Sequence, residues 1–181
     1  MLRIEIPLGP EEWDEAKDEF VQPKKQVLQL EHSLVSISKW ESKWNRAFLS
    51  NKGMTNEEVL DYIKCMTLTQ NVNPEVYNFI TSKNIEQVKQ YIEAPMTATV
   101  INDEKRSKGS HETVTSELIY YWMIALQIPF ECKKWHLNRL LTLIKVCNIK
   151  NSPPKKRSKR DIMSRNTALN AARRKQLNTR G

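Results

Sequence analysis

The net positive charge of this chain is confined to its C-terminal end, which distinguishes that end from the rest of the chain. The 181 residues carry a formal net charge of +8, yet residues 150–181 alone hold eleven Lys or Arg and one acid, Asp161. Residues 1–149 keep 18 basic and 20 acidic side chains. A charge distribution of this kind governs which partners a protein attracts more than how it folds. The core is therefore expected in the first part of the chain and a partner-binding element in the second.

The sequence Asn151-Ser152-Pro153-Pro154 marks the boundary between these parts. Two successive prolines cannot continue a helix, and they bias their neighbours toward extended backbone. This predicts a globular domain over residues 1–150 and a basic tail over 151–181. Within the tail, a basic helix is predicted from about residue 159 to 177.

Most of residues 1–150 show side-chain caps followed by apolar residues at helical spacing. In the segment Ser33–Trp44, Glu41 is assigned to a polar face beside the apolar stripe of the helix. The predicted helices are Ser33–Trp44, one capped by Thr55 that ends near Leu68, a short one opened by Asn73 and Pro74, one capped by Asn84 and stopped by Pro95, and one from Lys133 with a stripe of Leu137, Leu140, Leu141, Ile144 and Cys147.

A further segment, capped by Thr115 and followed by Pro129, is apolar on every side from Leu118 to Leu126. An all-round apolar pattern is typical of a helix buried within a protein. The segment is therefore predicted to be the central buried helix, with Trp122 in the core. Leu141, on the stripe described above, is predicted to be a second core residue.

Three short segments have the pattern of β-strands: Leu2–Ile6, Gln26–His32 and Met96–Ile101. They predict a small sheet at one end of the helices. The acid-rich stretch Glu11–Glu19 is predicted to be a surface helix or an acidic loop, and residues 102–112 a turn or loop. The expected fold class is thus mainly α with a small β element, a compact helical domain followed by a basic C-terminal helix or arm.

The chain lacks the patterns that usually indicate catalysis. Phosphate-binding loops and dinucleotide fingerprints need several closely spaced glycines, and the chain has four glycines in all. The sequence pattern of a nucleophile elbow is also absent. Glu57-Glu58 is an adjacent acidic pair that suits a solvated helix face better than acid–base work. Cys132, His136 and Cys147 fall short of a zinc ligand set, so Cys147 is assigned to packing and His136 to a hydrogen-bonded position at the surface or boundary. We expect no enzyme, no cofactor and no metal.

The remaining composition indicates a soluble protein that is not secreted. There is no run of about eighteen apolar residues and no charged-then-apolar leader, so no membrane association is expected. The three cysteines are widely spaced, which favours reduced thiols. Four tryptophans lie on or near apolar stripes, which favours packing in the core over a platform on which bases stack. Trp13 lies among acidic residues, so its ring either packs onto the domain or is an exposed contact for a partner. The four are Trp40, Trp44, Trp122 and Trp135.

The basic tail leaves three interpretations open. It can be a solvated terminus, a sequence-independent phosphate binder or a segment that docks on an acidic protein surface through apolar anchors within a basic rim. Aromatic side chains are absent from it, which argues against base stacking. The candidate partner-binding residues are Lys155, Lys156, Arg157, Lys159, Arg160, Ile162, Met163, Arg165, Leu169, Arg173, Arg174 and Lys175.

Four stretches together resemble a protein of the tail module of long-tailed, siphophage-type bacteriophages, the family of tail assembly chaperones. They are Ser38–Trp44, Tyr62–Thr67, the run from Ile119 through Trp135–Leu141, and the tail from Met163–Asn166 to Asn170–Arg174. The resemblance covers about residues 28–181. It implies a non-enzymatic protein of the host bacterial cytoplasm that binds the tape measure protein during tail assembly and is absent from the finished virion. The family supplies no catalytic residues.

Two other classes of function remain open on the residues alone. One is a structural subunit of the virion, such as a connector or tail component. The other is a nucleic-acid-binding phage protein that acts through the basic tail. A homo-oligomer is compatible with each.

Overall fold

The computed structural model describes residues 1–9, 12–14, 19–21, 24–50, 53–101, 113–152 and 159–178. The chain divides into two compact units, Met1–Asn148 and Ile149–Gly181. The first unit is mainly helical with small antiparallel sheets, which confirms the predicted fold class. Whether residues 1–150 fold without the tail stays a prediction.

Three of the predicted helix caps, Thr55, Asn73 and Thr115, are confirmed. Ser33, Thr55 and Thr115 each accept a hydrogen bond from a backbone N–H in the first helical turn, as N-cap residues do. The second unit holds the basic helix α6, Lys159–Leu177. The other helices are α1 Leu34–Trp44, α2 Asn56–Met66, a 3-10 helix Pro74–Phe79, α3 Ser82–Glu93, α4 Ser116–Ala125, a second 3-10 helix Phe130–Lys134 and α5 Leu137–Asn151.

The cap of α3 differs from the prediction. Thr81 is the N-cap, and Asn84, predicted as the cap, is the third helical residue. The Asn84 side-chain oxygen accepts a hydrogen bond from the Thr81 backbone N–H at 3.2 Å, and Thr81 Oγ1 accepts one from the Asn84 N–H at 3.2 Å. The two residues form a reciprocal capping box, so the helix starts one turn earlier than an Asn cap would allow.

Strands β1 (Leu2–Pro7) and β4 (Lys25–Leu30) form an antiparallel pair with Leu2 opposite Leu30. Their alternating residues Ile4, Ile6, Leu28 and Leu30 are buried, as the period of two predicts. Two of the three predicted strands are therefore confirmed.

The third predicted strand, Met96–Ile101, is wrong: these residues have no strand structure, and Met96 adopts a left-handed φ of 49°. Both edges of the β1–β4 pair are engaged elsewhere. On the β4 side, the Leu68 N–H donates to the Gln29 carbonyl at 2.8 Å. On the β1 side, the Asn84 amide donates to the Glu5 carbonyl at 3.1 Å. A β-branched segment without an available strand edge has no ladder to join.

The acidic stretch Glu11–Glu19 is also not as predicted where it is described. Strand β2 (Glu12–Asp14) pairs antiparallel with β3 (Glu19–Val21), and Trp13 stands opposite Phe20 in the register. Trp and Phe have high strand propensity, which a prediction from acidic composition leaves out. The predicted loop over 102–112 lies outside the described residues.

One hydrophobic core joins the sheet to helices α1–α5. Trp40 is fully buried at its centre, and its indole N–H donates to the Glu58 carbonyl at 3.1 Å. The largest fully buried side chains are Trp40, Ile4, Ile6, Leu28, Leu30, Leu34, Ile37, Ile63, Met66, Ile119, Met123 and Leu137. The stripe of α5 is confirmed by Leu137, Leu140 and Ile144, while Leu141 and Cys147 are only partly buried.

Helix α4 is not the central buried helix that its composition predicts. Ile119 and Met123 are fully buried, but Tyr121 is 63% and Ile124 is 60% exposed. Trp122 and Leu141, both predicted as core residues, are partly buried at the edge of the core. One face of α4 covers the core and the opposite face is apolar and open. An all-round apolar pattern indicates burial, but it does not specify what buries each face.

Candidate partner-binding site

Two histidines meet inside the first unit, and their hydrogen bonds are supplied by the protein itself. The rings of His32 and His136 lie 5.1 Å apart, edge to face. His136 Nε2 lies 3.0 Å from the Tyr91 carbonyl, and its Nδ1 accepts the Asn138 N–H at 3.3 Å. A carbonyl can only accept, so Nε2 carries the proton and the imidazole is neutral. The prediction that His136 is hydrogen-bonded is confirmed, but the residue is buried instead of lying at the surface or boundary.

His32 is paired in the same way. Its Nδ1 lies 2.6 Å from the Tyr62 hydroxyl, whose other neighbour, Ser36 Oγ, already donates to the Ser33 carbonyl at 2.8 Å. The hydrogen bond between the Tyr62 hydroxyl and Nδ1 fits either neutral tautomer of His32. Burial, followed by the nearby His136, lowers the pKa of His32 to about 3. Burial also lowers the pKa of His136, against the opposing hydrogen bond to Tyr91.

Buried carboxylates are likewise used to join segments of the chain. Glu41 Oε1 accepts the Phe48 N–H at 2.8 Å and Oε2 accepts the Ser116 N–H at 2.7 Å, which connects α1 to the start of α4. Glu58 Oε1 accepts from the Arg46 guanidinium at 2.6 Å and Oε2 accepts the Thr55 N–H at 2.7 Å. Both acids were predicted on polar faces, and both are buried. Carboxylates with these bonds hold loops and helix ends in place.

The cysteines and histidines do not combine into a metal centre in the part of the chain that the structure describes. Cys65, Cys132 and Cys147 are unpaired thiols, and burial raises the pKa of Cys65 and of Cys132. A raised thiol pKa disfavours the thiolate that metal binding and nucleophilic attack require. Cys147 packs against the hydrophobic core.

An apolar cavity of about 350 Å³ opens beside the middle of α5. Trp122 of α4 and Leu141 of α5 both line it, which explains why neither reaches full burial. The complete lining is Leu49, Ser50, Val114, Trp122, Leu141, Ile144, Lys145 and Asn148.

A second cavity, of about 320 Å³, shares Leu141 and Lys145 with the first. It is more polar, since its other lining residues are Pro95, Thr97, Thr99, Asn138 and Thr142. The two cavities therefore follow α5 from Asn138 to Asn148, a distance of about 15 Å at the rise of an α-helix. We call these two cavities together the α5 groove.

A separate apolar patch lies on the open face of α4. Tyr121, Ile124 and Phe130 are largely exposed, and the rings of Tyr120 and Phe130 stack with centroids 6.5 Å apart. Exposed apolar surface that is clustered in this way often marks a protein contact.

The predicted partner-binding residues of the tail fall on α6 from Lys159 onward, and Lys155, Lys156 and Arg157 lie outside the described residues. Met163, Leu169 and Leu177 are exposed, as are the basic side chains of the helix. The helix places Lys159, Arg160, Ile162, Met163, Arg165, Leu169, Arg173, Arg174 and Lys175 on one continuous segment. The described side chains among them form no compact site. Their role in partner binding stays a prediction.

The sequence gives only a partial signal for the α5 groove. Its residues come from four separated parts of the chain, and the sequence predicted Trp122, Leu141 and Ile144 only as apolar residues of helices. Leu49 and Val114 have no periodic pattern around them that would indicate a shared site. The spacing of Asn138, Leu141, Thr142 and Lys145 does place them on one helix face, which is the one signal available before the fold is known.

Comparison with protein-family models, with curated proteins and with solved structures gives no match for this chain. In the described residues, no helix is both long enough and apolar enough to cross a membrane.

Proposed function

We propose that this chain is a non-enzymatic phage tail assembly chaperone that binds the tape measure protein in the cytoplasm of the host bacterium. The proposal rests on the resemblance of residues 28–181 to that family. Its structural support is one observation: the buried ionisable groups hold the fold together, while apolar surface is left open. Tyr121 and Ile124 on α4 and Leu141 in the α5 groove provide this surface.

A holding function of this kind needs exposed apolar surface and no reactive group. His32 and His136 are hydrogen-bonded within the fold, and neither lines the α5 groove. A long client with apolar helical segments would contact the open surface of the first unit. The basic α6 would add attraction for acidic parts of the same client.

The direct test is co-expression of the tagged full-length chain with the tape measure protein of the same phage, followed by affinity purification. We expect the tape measure protein to be retained and kept soluble. Leu169→Ala together with Met163→Ala should reduce retention if α6 contributes apolar anchors, whereas Asn170→Ala on the same helix serves as the matched control. Loss of solubility of the tape measure protein in the presence of the wild-type chain would contradict the proposal.

Two observations separate this function from the alternatives. Mass spectrometry of purified virions should find the chain absent or at trace level, whereas an abundant signal would support a structural subunit. Binding to any duplex should be weak at physiological salt. The nucleic-acid alternative, which the six cations of α6 favour, predicts tight duplex binding whose affinity falls steeply as the salt concentration rises. It also predicts that Arg173→Ala, Arg174→Ala and Lys175→Ala make this salt dependence less steep.

A further inference from the structure

The change from acidic to basic sequence falls inside the first unit, before the tail begins. Residues 1–131 carry fourteen basic and twenty acidic side chains, whereas residues 132–181 carry fifteen basic side chains and one acid. No acid occurs between Glu131 and Asp161. Four of the fifteen cations belong to the first unit. A basic segment is therefore part of the folded first unit as well as of the tail.

Arg139, in the first turn of α5, is oriented by Trp135. The guanidinium carbon lies 4.2 Å from the centroid of the indole ring. Trp135 packs against the hydrophobic core, whereas Arg139 is exposed. A guanidinium stacked on an aromatic ring keeps the N–H groups at its edge available for hydrogen bonds. The stack therefore presents a pre-oriented pair of donors to solvent.

Two lysines lie next to this guanidinium. Lys133 and Lys134 end the 3-10 helix that leads into α5. Burial and then Glu131 raise the pKa of the Cys132 thiol and the Arg139 charge lowers it, so the guanidinium lies close to this 3-10 helix. Among the described residues, no carboxylate forms an ion pair with Lys133, Lys134 or Arg139. We call these three cations the Arg139 patch.

We propose that the Arg139 patch binds an acidic segment of a protein partner, with one carboxylate on the Arg139 guanidinium and another on Lys133 or Lys134. A carboxylate accepts two parallel N–H bonds from a guanidinium, and such charge-assisted pairs are stronger than neutral hydrogen bonds. Complementary charge also speeds the encounter and suppresses partners of the wrong sign. That the partner is the tape measure protein rests on the proposed function, but the chemistry of the segment follows from the patch alone.

The patch favours protein carboxylates over a nucleic acid. Proteins that hold a duplex by its phosphates make roughly six to ten such contacts, and the patch offers three cations. Base stacking needs an open aromatic face, but Arg139 covers Trp135, which also packs against the core. Glu131 is exposed in the same 3-10 helix and would repel a continuous phosphate backbone. A short acidic segment can reach the cations and avoid Glu131.

The test uses full-length protein and two labelled Gly/Ser peptides, one with clustered Glu and the other with Gln at the same positions. Affinities are measured by fluorescence anisotropy at physiological salt for the wild type, Arg139→Glu and Arg139→Lys. Lys89→Glu, at an exposed position on α3, is the matched charge reversal outside the patch. Urea unfolding checks that each variant folds. Lys134→Glu, at an exposed position of the patch, takes the place of Arg139→Glu if that variant does not fold.

We expect the wild type to prefer the Glu peptide. Arg139→Glu should weaken this peptide by about fivefold, as loss of an exposed ion pair allows. Arg139→Lys should weaken it by about twofold, because the charge remains but the two-bond geometry is lost. Lys89→Glu should leave the affinity unchanged. Equal effects of Lys89→Glu and Arg139→Glu, or equal affinity of the wild type for the two peptides, would overturn the proposal.

Cross-linking locates the contact. A carbodiimide joins an amine to a carboxylate that touches it, so mass spectrometry should find the Glu peptide attached to Lys133 or Lys134. Cross-links confined to lysines outside the patch would contradict the proposal. A DNA duplex that displaces the Glu peptide, and whose own affinity falls in Arg139→Glu, would assign the patch to phosphates and would also overturn it.

The same variants distinguish failure of the patch from failure of the function. If tape measure protein is retained equally by wild type and Arg139→Glu, the chaperone function stands and the patch is not its site. If the Glu peptide binds the patch as expected but no tape measure protein is retained, the proposed function fails and the patch binds a different acidic protein.

Discussion

The first unit and helix α6 are both helical, but they use their apolar residues in opposite ways. In the first unit, α1 buries Leu34, Ile37 and Trp40 completely. In α6, Met163 is 69% and Leu177 is 71% exposed. Helices in proteins are stabilised mainly by packing of an apolar face, and a helix without such packing is marginal in water. We therefore expect the free energy of unfolding to come mainly from the packed apolar residues of the first unit.

The largest expected effect is in the core. Trp40→Ala should lower the free energy of unfolding by about 3 to 5 kcal/mol, because a fully buried ring and its hydrogen bond to the Glu58 carbonyl are lost. Met163→Ala on α6 should change it by less than about 0.5 kcal/mol. Urea unfolding followed by tryptophan fluorescence measures both. Similar losses for the two variants would show that α6 is part of the same cooperative unit.

The buried carboxylates give the next effect. Glu41→Ala should cost about 3 kcal/mol, because the N–H groups of Phe48 and Ser116 lose their acceptor inside the protein. Glu93→Ala, at an exposed position on α3, is the control and should be close to neutral. Thermal unfolding of the two variants beside the wild type is sufficient. A neutral Glu41→Ala would mean that water replaces the carboxylate without loss.

The helix caps and Glu41 together show how far the sequence predicts the structure. The helix caps Thr55, Asn73 and Thr115 were predicted correctly because a cap is a local hydrogen bond. Glu41 was misassigned because its partners, Phe48 and Ser116, are 7 and 75 residues away in the chain. Local sequence patterns do not indicate hydrogen bonds between separate segments of the chain.

The third strand was predicted wrongly, and the groove was not predicted, for the same kind of reason. Residues 96–101 have strand propensity, but the sheet edges are engaged by Leu68 and Asn84, which lie far away in sequence. The α5 groove arises where α4, α5 and two connecting segments meet incompletely. The sequence predicted Trp122 and Leu141 as apolar contacts, and only the fold shows that part of their surface faces an open cavity.

Acidification should weaken the first unit by an intermediate amount. The pKa of His32 is about 3 in the folded protein and about 6.5 when unfolded, so the unfolded state takes up the proton first. The stability due to neutral His32 is present above about pH 6.5 and is lost as the pH falls toward 3. From pH 7 to pH 5 this amounts to about 2 kcal/mol, and His136 acts in the same direction.

Urea unfolding at the two pH values measures this loss in the wild type and in His32→Gln. The variant is expected to be less stable at pH 7 but to show a smaller difference between the two pH values. Residues 159–177 contain no histidine, so the comparison predicts that α6 makes no contribution to this pH dependence. An unchanged pH difference in His32→Gln would assign the effect to other groups.

The smallest expected effect concerns α6. Proline inside a helix removes a hydrogen bond and clashes with the preceding turn, at a local cost of about 3 kcal/mol or more. Ala171→Pro should therefore reduce the helical circular-dichroism signal of the protein. If the first unit folds independently, its urea midpoint should stay within experimental error of the wild type. Val88→Pro, in the middle of α3, is the matched change and should abolish cooperative folding, because Val88 is buried in the core.

A lower midpoint in Ala171→Pro would mean that the two units stabilise one another. Retention of the client by Ala171→Pro at the wild-type level would show that binding needs the charge of the tail but not its helix.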